Sequence, residues 1–409
     1  MESEFAITIP RLRLVRAEEV APAVARARAE RSARRSLAVL TVSVVVLTMG
    51  GLVMVLSASS VSAFAEFGSS FLFFKRQLMY AVLGGVLALG TSRLRYQVWR
   101  TMWPPLLAVT VVLLVLVLHP AVGRSAGGAA RWISVGSFSL QPSEPAKFIL
   151  VAAVASILTA NLKYLHADPV RWVAPVVILV GLTTGLVLLQ PDLGTAMVIA
   201  ASMFLLLFVA GVRLRLLLTT ALCSGLLGMA LILGERYRRV RFFSFLHPLA
   251  DPRNTGYQLY QSLIALGSGH LFGVGLGASR QKWMYMPNAH TDFIFAILGE
   301  ELGLIGEIVV LALFGAFIYA GIRIAIRAPD AYGRMLAAGI CGWLGLQALV
   351  NLGAVTGVLP ITGVPLPFIS FGGSSLVVSL AASGVLLSIG RAGLTSISAS
   401  SRGSKGSAG

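Results

Sequence analysis

The fold is decided by residues 37–58, which read LAVLTVSVVVLTMGGLVMVLSA and contain no charged residue. A helix needs about twenty apolar residues to cross the roughly 30 Å hydrocarbon core of a bilayer. Nine further apolar runs follow along the chain, near residues 77–92, 103–119, 145–160, 172–190, 192–212, 215–234, 292–320, 335–355 and 373–390. The sequence therefore predicts an all-α polytopic membrane protein of about ten transmembrane helices.

The composition indicates the same environment. Hydrophobic residues make up 56% of the chain and charged residues only 12%, whereas soluble globular proteins carry about 25% charged residues. The two cysteines, Cys223 and Cys341, lie inside apolar runs. They therefore predict neither a disulfide framework nor a metal site.

The net charge of +17 orients the helices. If the N-terminus is cytoplasmic and the spans alternate, 21 of the 33 lysines and arginines fall on the cytoplasmic side, eight of them before Ser36. Short cytoplasmic loops carry this excess in most membrane proteins. The charge thus needs no nucleic acid partner, and both termini are expected in the cytoplasm.

Three regions follow from this pattern. Residues 1–35 form a basic cytoplasmic tail, residues 36–393 form the transmembrane domain, and residues 394–409 are rich in Ser and Gly. A segment of that last composition cannot bury enough apolar surface to fold, so we expect a disordered cytoplasmic tail.

Three outer segments are long and rich in Gly, Pro and polar residues: 119–147, 234–291 between the seventh and eighth helices, and 356–375. Irregular backbone at membrane depth is tolerated only where protein buries it or where it lines a wet cavity. The last segment contains PITGVPLPFISFGGSS, which suits a re-entrant loop with Ser374 and Ser375 as hydrogen-bond donors.

Acidic residues are scarce, with 16 in the whole chain, and ionisable groups within membrane spans usually mark function. Asp292 lies in AHTDFIFAILGEELG, where the long outer segment enters the eighth helix. The helix dipole favours an ionised carboxylate there. The structural alternative is that Thr291 and Asp292 cap the helix. His290 either tunes the pKa of Asp292 or bonds to the loop backbone.

Glu300, Glu301 and Glu307 follow in the same helix. Glu300 and Glu307 are seven residues apart and are expected on one face, with Glu301 turned about 100° away. For all three, pairing with a basic or amide group of a neighbouring helix is the favoured interpretation over catalysis.

Two more acids begin helices on the outer side. Glu144 in QPSEPAK is three residues from Lys147, so the two can pair across one helical turn. Asp192 in QPDLGT follows a proline, which predicts a helix-capping role. A role in an outer cavity stays open for both sites.

Outer basic residues depart from the cytoplasmic bias. ERYRRVRFF places Arg236, Arg238, Arg239 and Arg241 among aromatic residues, as in an interfacial amphipathic segment. These guanidinium groups either bind a phosphate or extend into the outer head groups. Arg280 and Lys282, in SRQKW, extend the same basic patch.

Four motifs, QPSEPAK, QPDLGT, AHTDFIFAILGEELG and LPFISFGGSS, together resemble the SEDS (shape, elongation, division and sporulation) family. Their order and topology match the family from about Leu37 to Arg391. The segments SRQKW and GEELG resemble the division members of the family more than the elongation members. Phe371 stands where the family more often has Tyr.

The resemblance implies a peptidoglycan glycosyltransferase that polymerises lipid II at the outer face of the bacterial cytoplasmic membrane. The family's catalytic aspartate maps onto Asp292. We expect inverting transfer with this residue as general base and undecaprenyl pyrophosphate as the leaving group. The substrate-binding candidates are Glu144, Lys147, Asp192, Arg238, Arg239, Arg280, Lys282, His290, Ser374 and Ser375.

No cofactor is required by the sequence, and a divalent cation is possible although no ligand spacing demands one. The resemblance also implies partnership with a class B penicillin-binding protein and other division membrane proteins at the septum. Two other functions stay open at this point: a lipid II flippase, and a non-catalytic scaffold for the transpeptidase.

Overall fold

The computed structural model describes residues 17–126, 129–135, 138–160, 168–234, 236–243, 245–246, 251–254, 256–283 and 285–403. Twelve helices lie in this part of the chain: α1 Ala17–Phe67, α2 Leu72–Arg93, α3 Val98–Leu116, α4 Ser143–Ala160, α5 Pro169–Leu189, α6 Leu193–Val209, α7 Leu214–Gly234, α8 Arg236–Phe243, α9 Tyr257–Ser268, α10 Ile294–Ile326, α11 Ala331–Val355 and α12 Gly373–Gly403.

Nine of the described helices are long and apolar enough to cross a membrane. A tenth, α6, is apolar and 17 residues long, which is at the lower end of the length that spans a bilayer. Each of the ten apolar runs in the sequence corresponds to one of these helices, so the prediction of a ten-helix membrane protein is confirmed. The short helices α8 and α9 lie in the outer segment between α7 and α10.

Aspartates start several of the spans. Asp168, Asp192 and Asp330 are the N-cap residues of α5, α6 and α11, and each side chain accepts a hydrogen bond from a backbone N–H of the first turn. This bond satisfies one of the N–H groups that a helix leaves free at its start. Short turns between spans are therefore defined by local sequence.

The helices α4, α11 and α12 form the centre of the bundle, whereas α2, α3 and α7 present most of their surface to lipid. The helix α12 packs along α2, and α1 packs along α10. The predicted re-entrant loop, between α11 and α12, lies inside this bundle. Its Val364, Leu366 and Phe368 are buried, and the ring of Phe368 lies 5.6 Å from that of Phe317 in α10.

The described helices extend into both predicted terminal regions, of which residues 1–16 and 404–409 lie outside the described residues. The predicted disordered tail begins at residue 394, but α12 continues to Gly403. The hydroxyls of Thr395 and Ser396 donate to carbonyls of the preceding turn, so these polar side chains are satisfied within the helix. At the other end, α1 begins at Ala17 and runs without a break through residue 35. The basic tail and the first span thus share one helix.

The outer segment before α4 is not irregular. It contains a three-stranded antiparallel sheet in the order β1-β2-β3, formed by Gly123–Ala126, Ala129–Val135 and Phe138–Leu140. The hydroxyl of Tyr80 in α2 accepts a hydrogen bond from the backbone N–H of Ser139. The sheet is therefore attached to the outer end of the bundle.

The helix α10 is broken at Gly303, whose φ of 66° is left-handed. The segment after α9 forms hydrogen bonds with the backbone on both sides of this break. The N–H groups of Val274 and Gly275 donate to the carbonyls of Glu300 and Glu301. Those of Leu304 and Ile305 donate to the carbonyls of His270 and Leu271. The backbone groups that the broken helix leaves free are thus paired with the outer loop.

We expect Gly303→Ala to destabilise the protein by more than about 1 kcal/mol, because an L-residue is strained at this φ. A Cβ there would also collide with backbone atoms of Leu271 and Gly273. Gly315→Ala is the matched control, since it lies in the same helix with open space around its Cα. Thermal unfolding in detergent should show a lower midpoint for the first variant only. Equal midpoints would mean that the break is not required.

Candidate active site

Asp292 lies in the turn just before α10 and is half-buried. Phe293 is the N-cap residue of α10, so Asp292 sits one residue before the cap. The side-chain amide of Asn351, in α11, donates to the carbonyl oxygen of Asp292 and to that of Val364, both at 2.8 Å. One buried asparagine therefore joins the Asp292 turn to the re-entrant loop.

His290 lies in an aromatic cluster beside this turn. Its ring centroid is 4.6 Å from that of Phe73 in α2 and 5.5 Å from that of Phe371. Its carbonyl oxygen accepts a hydrogen bond from the backbone N–H of Phe371. The phenyl ring of Phe371 packs against the imidazole and Phe73. The phenylalanine that stands here in place of the family's more frequent tyrosine is therefore part of the aromatic cluster.

Burial lowers the pKa of His290 to about 4. In the unfolded chain the group has its ordinary pKa of about 6.5, so between these values the unfolded state binds more protons than the folded state. Stability therefore falls as pH is lowered through this window. We expect His290→Phe, which keeps the aromatic packing, to lose less thermal stability than the wild type between pH 6.5 and 4. Identical pH profiles would contradict this.

Glu144 and Lys147 form a buried ion pair at the start of α4. The distance from Nζ of Lys147 to Oε1 of Glu144 is 2.8 Å, and both side chains are 1% exposed. Nζ also donates to Oε1 of Gln347 at 2.7 Å. The amide of Gln347 donates to the carbonyl of Pro365 and to Oγ of Ser375. The predicted pair is thus present, and it is linked to the re-entrant loop and α12.

Asp192 holds a second set of contacts on the outer side. It caps α6 by accepting from the N–H and the hydroxyl of Thr195, which confirms the capping interpretation. Its carboxylate also accepts from Nε2 of Gln141 at 3.3 Å and lies 3.8 Å from Nη1 of Arg131. Arg131, in β2, donates to the carbonyls of Gln190 and Pro191 as well.

Arg131 was not among the residues predicted from sequence, because its partners lie far along the chain and only the sheet brings them together. Ser374 joins the same set. Its hydroxyl accepts from the N–H of Gln141 at 3.0 Å and donates to the carbonyl of Ser139 at 3.1 Å. The adjacent serines of the last motif therefore contact two networks, Ser374 the network of Asp192 and Ser375 that of Lys147.

Glu300 and Glu301 hold the outer loop. The carboxylate of Glu300 accepts from the hydroxyl of Ser279 and from the N–H of Arg280 at 2.9 Å. Glu301 accepts from the hydroxyl of Ser57 in α1 and lies 3.6 Å from Nζ of Lys282. Both acids therefore have structural partners.

The structure changes two expectations, one about the outer loop and one about α10. Lys282 was predicted as an outer cation, but it is 6% exposed and pairs with Glu301, so it is not available to an anionic ligand. Glu300 and Glu307 were expected on one helix face. The break at Gly303 interrupts the regular helical periodicity on which this expectation depends. The half-buried Glu307 instead folds back against Gly299.

The remaining basic candidates are not part of these buried networks. Arg239 in α8 and Arg280 are exposed, and the side chain of Arg238 lies outside the described residues. Two other exposed cations, Lys75 and Arg76, lie in α2 just after Phe73, whose ring contacts His290. Within the part of the chain that the structure describes, no three His, Cys, Asp or Glu residues come close enough to hold a metal ion.

An apolar cavity of about 270 Å³ lies between α5, α6 and α7. Its lining includes Val180, Gly185, Met197, Phe204 and Leu227. The cavity is partly open, and its apolar walls suit a hydrocarbon chain.

The ten spans and the polar networks at their outer ends define a multi-pass membrane protein with a polar centre at the outer side of the bundle. The family model described as "Cell cycle protein", which covers FtsW, RodA and SpoVE, matches residues 37–393. The chain therefore belongs to this family, and the resemblance seen in the four motifs is confirmed.

Individual relatives agree with this assignment. Stage V sporulation protein E of Bacillus subtilis (strain 168) is 44% identical over 357 residues, which cover 87% of this chain and 96% of that protein. The probable peptidoglycan glycosyltransferase FtsW of Coxiella burnetii (strain RSA 493 / Nine Mile phase I) is 47% identical over 343 residues, covering 83% and 92% of the two chains.

Two solved structures share the fold. A chain from a peptidoglycan synthase complex, studied for the coordination of polymerization and crosslinking, is 30% identical with a TM-score of 0.69, covering 86% of this chain and 96% of that chain. The rod shape determining protein RodA of Thermus thermophilus is 30% identical with a TM-score of 0.61, covering 86% and 95%.

Proposed function

We propose that this chain, a peptidoglycan glycosyltransferase of bacterial cell-wall synthesis, polymerises lipid II with Asp292 as its general base. The observation that carries the proposal is the position of Asp292. Its backbone is held by the buried Asn351 where α10, α11 and the re-entrant loop meet. Curated relatives named as probable peptidoglycan glycosyltransferases support the activity.

The chemistry needs one base. The carboxylate of Asp292 takes the proton from the 4-hydroxyl of the acceptor GlcNAc as that oxygen bonds to C1 of the donor MurNAc. The bond from C1 to the pyrophosphate oxygen breaks, with inversion at C1. Ordinary inverting glycosidases use a second carboxylic acid to protonate the leaving group. Undecaprenyl pyrophosphate leaves as an anion, so cations take the place of that acid.

We look for the cations that stabilise the leaving pyrophosphate among the exposed basic side chains. We do not assign this role to Lys282, because its side chain is buried and pairs with Glu301. Arg239 and Arg280 keep the role proposed from sequence. Lys75 and Arg76 join them, since they lie on α2 beside the aromatic cluster that contacts the Asp292 turn. A divalent cation bound with the pyrophosphate is compatible with this arrangement.

The buried networks position the site. Lys147 and Glu144 reach the re-entrant loop and Ser375 through Gln347. Asp192 and Ser374 attach the outer sheet to the bundle. We assign these residues to holding the loops around the substrate. The apolar cavity between α5, α6 and α7 offers space for part of the polyprenyl chain.

We further propose that the protein acts in the bacterial cytoplasmic membrane at the division septum. FtsW and stage V sporulation protein E among the relatives support a division or sporulation role. We propose a class B penicillin-binding protein as its partner, because one structural relative comes from a peptidoglycan synthase complex that coordinates polymerization and crosslinking. Other division membrane proteins complete the assembly.

The test uses the purified full chain with a cognate class B penicillin-binding protein in detergent and labelled lipid II. Glycan polymer is the expected product. A second arm reconstitutes the chain alone in vesicles and measures translocation of lipid II. Translocation without polymer would replace the polymerase by a flippase, and polymer made only by the partner would leave the chain as a scaffold.

A further inference from the structure

The inner end of α10 carries two arginines whose guanidinium groups converge on α1. Nη2 of Arg327 donates to Oγ of Ser32 at 2.6 Å, and Nη2 of Arg323 donates to the same oxygen at 3.1 Å. Nη1 of Arg327 lies 3.4 Å from Oγ of Ser36, one helical turn further along α1. Two cationic groups therefore share two neutral hydroxyls.

Among the side chains that the structure describes, none of the ion pairs found involves Arg323 or Arg327. The ion pairs found there lie at the outer side, between Arg131 and Asp192, Lys147 and Glu144, and Lys282 and Glu301. Asp330, close in sequence, accepts instead from the hydroxyl of Tyr96 and from the N–H of Gly333. The side-chain hydrogen bonds found for the two arginines thus end on uncharged hydroxyl oxygens.

A third helix encloses the site. At Gly393 of α12, a Cβ would lie 2.6 Å from the carbonyl oxygen of Arg327, so only glycine allows α12 to approach this closely. Ser36 is buried, and the two arginines are half-buried. The neighbouring Ile322 and Ile326 are exposed towards lipid. The ends of α10 and α12 therefore meet at Arg327, and the guanidinium groups face α1.

Their presence alone has a simple explanation, since cations are favoured near helix C-termini and on the cytoplasmic side. Neither effect explains the convergence. Like charges repel, so two long cationic side chains would otherwise be expected to separate. A shared anion removes the repulsion, and a phosphate group matches the planar donor pattern of guanidinium.

We propose that Arg323, Arg327 and Ser32 bind the phosphate group of an anionic phospholipid from the cytoplasmic leaflet. The guanidinium groups and the hydroxyl of Ser32 donate to the phosphate oxygens, and the acyl chains lie along Ile322 and Ile326. The hydroxyl of Ser36 donates to the carbonyl oxygen of Ser32, and its oxygen helps to position Arg327. Basic pockets between transmembrane helices on the cytoplasmic side are typical sites for such head groups. The site is remote from Asp292 and independent of the polymerase chemistry.

The test measures lipid retention on the full chain by native mass spectrometry, with phosphatidylglycerol and phosphatidylcholine of identical acyl chains. The variant R323Q/R327Q should bind phosphatidylglycerol about tenfold more weakly than the wild type, because each basic contact contributes to head-group binding. The control R215Q/R334Q removes the same charge from exposed cytoplasmic positions and should change binding less than about twofold. S32A/S36A keeps the charge and should weaken binding about threefold.

Thermal unfolding without added lipid checks that each variant folds. If R323Q/R327Q does not fold, lipid binding by S32A/S36A tests the proposal. Equal losses in both arginine pairs would overturn the site in favour of general charge attraction. Equal retention of phosphatidylcholine by the wild type would overturn it as well. A thermal stabilisation by inorganic phosphate as large as that by phosphatidylglycerol would assign the site to free phosphate instead of lipid.

Discussion

Asp292→Asn is expected to reduce glycan polymerisation by about 100- to 10,000-fold, the contribution typical of a general base. The amide has nearly the shape of the carboxylate but cannot take the proton from the acceptor hydroxyl. The turn itself should persist, because Asn351 bonds to the carbonyl oxygen of residue 292, which the substitution keeps. We therefore expect a folded protein that binds lipid II and does not extend it.

Asp251→Asn is the matched control for this experiment. It makes the same chemical change in the same outer segment, where the carboxylate of Asp251 accepts from the side chain of Asn254 at 3.0 Å. Polymer length and yield with the control should equal those of the wild type. Wild-type activity in the Asp292 variant would remove this residue from the catalytic role, and activity lost together with thermal stability would indicate a structural role.

Lys147→Met is expected to destabilise the protein by about 3–5 kcal/mol, the range for breaking a buried ion pair from one side. The substitution leaves the carboxylate of Glu144 buried at the start of α4, and Oε1 of Gln347 loses one of its donors. The re-entrant loop is tied to the same glutamine through the carbonyl of Pro365. We therefore expect a lower unfolding midpoint and reduced polymerisation together.

The double variant Glu144→Gln with Lys147→Met removes both charges and should recover most of the lost stability, because no unpaired charge stays buried. Lys75→Met serves as the control for charge removal, since Lys75 is exposed at the outer end of α2. Its unfolding midpoint should stay close to that of the wild type. If Lys147→Met were as stable as this control, the buried pair would not hold the bundle together.

Much of the fold is predictable from local sequence. Each span needs about twenty apolar residues whatever its neighbours are, so α2 and α7 can be read directly from composition. The capping role of Asp192 was also predictable, because a cap depends on the residues of a single turn. The buried pair of Glu144 and Lys147 followed from their spacing on one helix.

Other features depend on partners that are distant in the chain. Lys282 looked like a free outer cation because Glu301, its partner, is reached only when the loop folds onto α10. The helical pattern continues through Gly303 in sequence, and only the inserted loop shows that α10 is broken there. Arg131 was missed for the same reason, since the sheet brings it to Asp192.

The sequence by itself determined the membrane-spanning helices, their orientation and the motifs that place Asp292 at the mouth of a span, because apolar length, charge bias and capping are properties of contiguous residues. The tertiary structure alone decided which charges are buried and paired, how Asn351 joins the Asp292 turn to the re-entrant loop, and where Arg323 and Arg327 converge. Those arrangements depend on contacts between separate helices, and the electrostatic cost of each charge depends on what surrounds it.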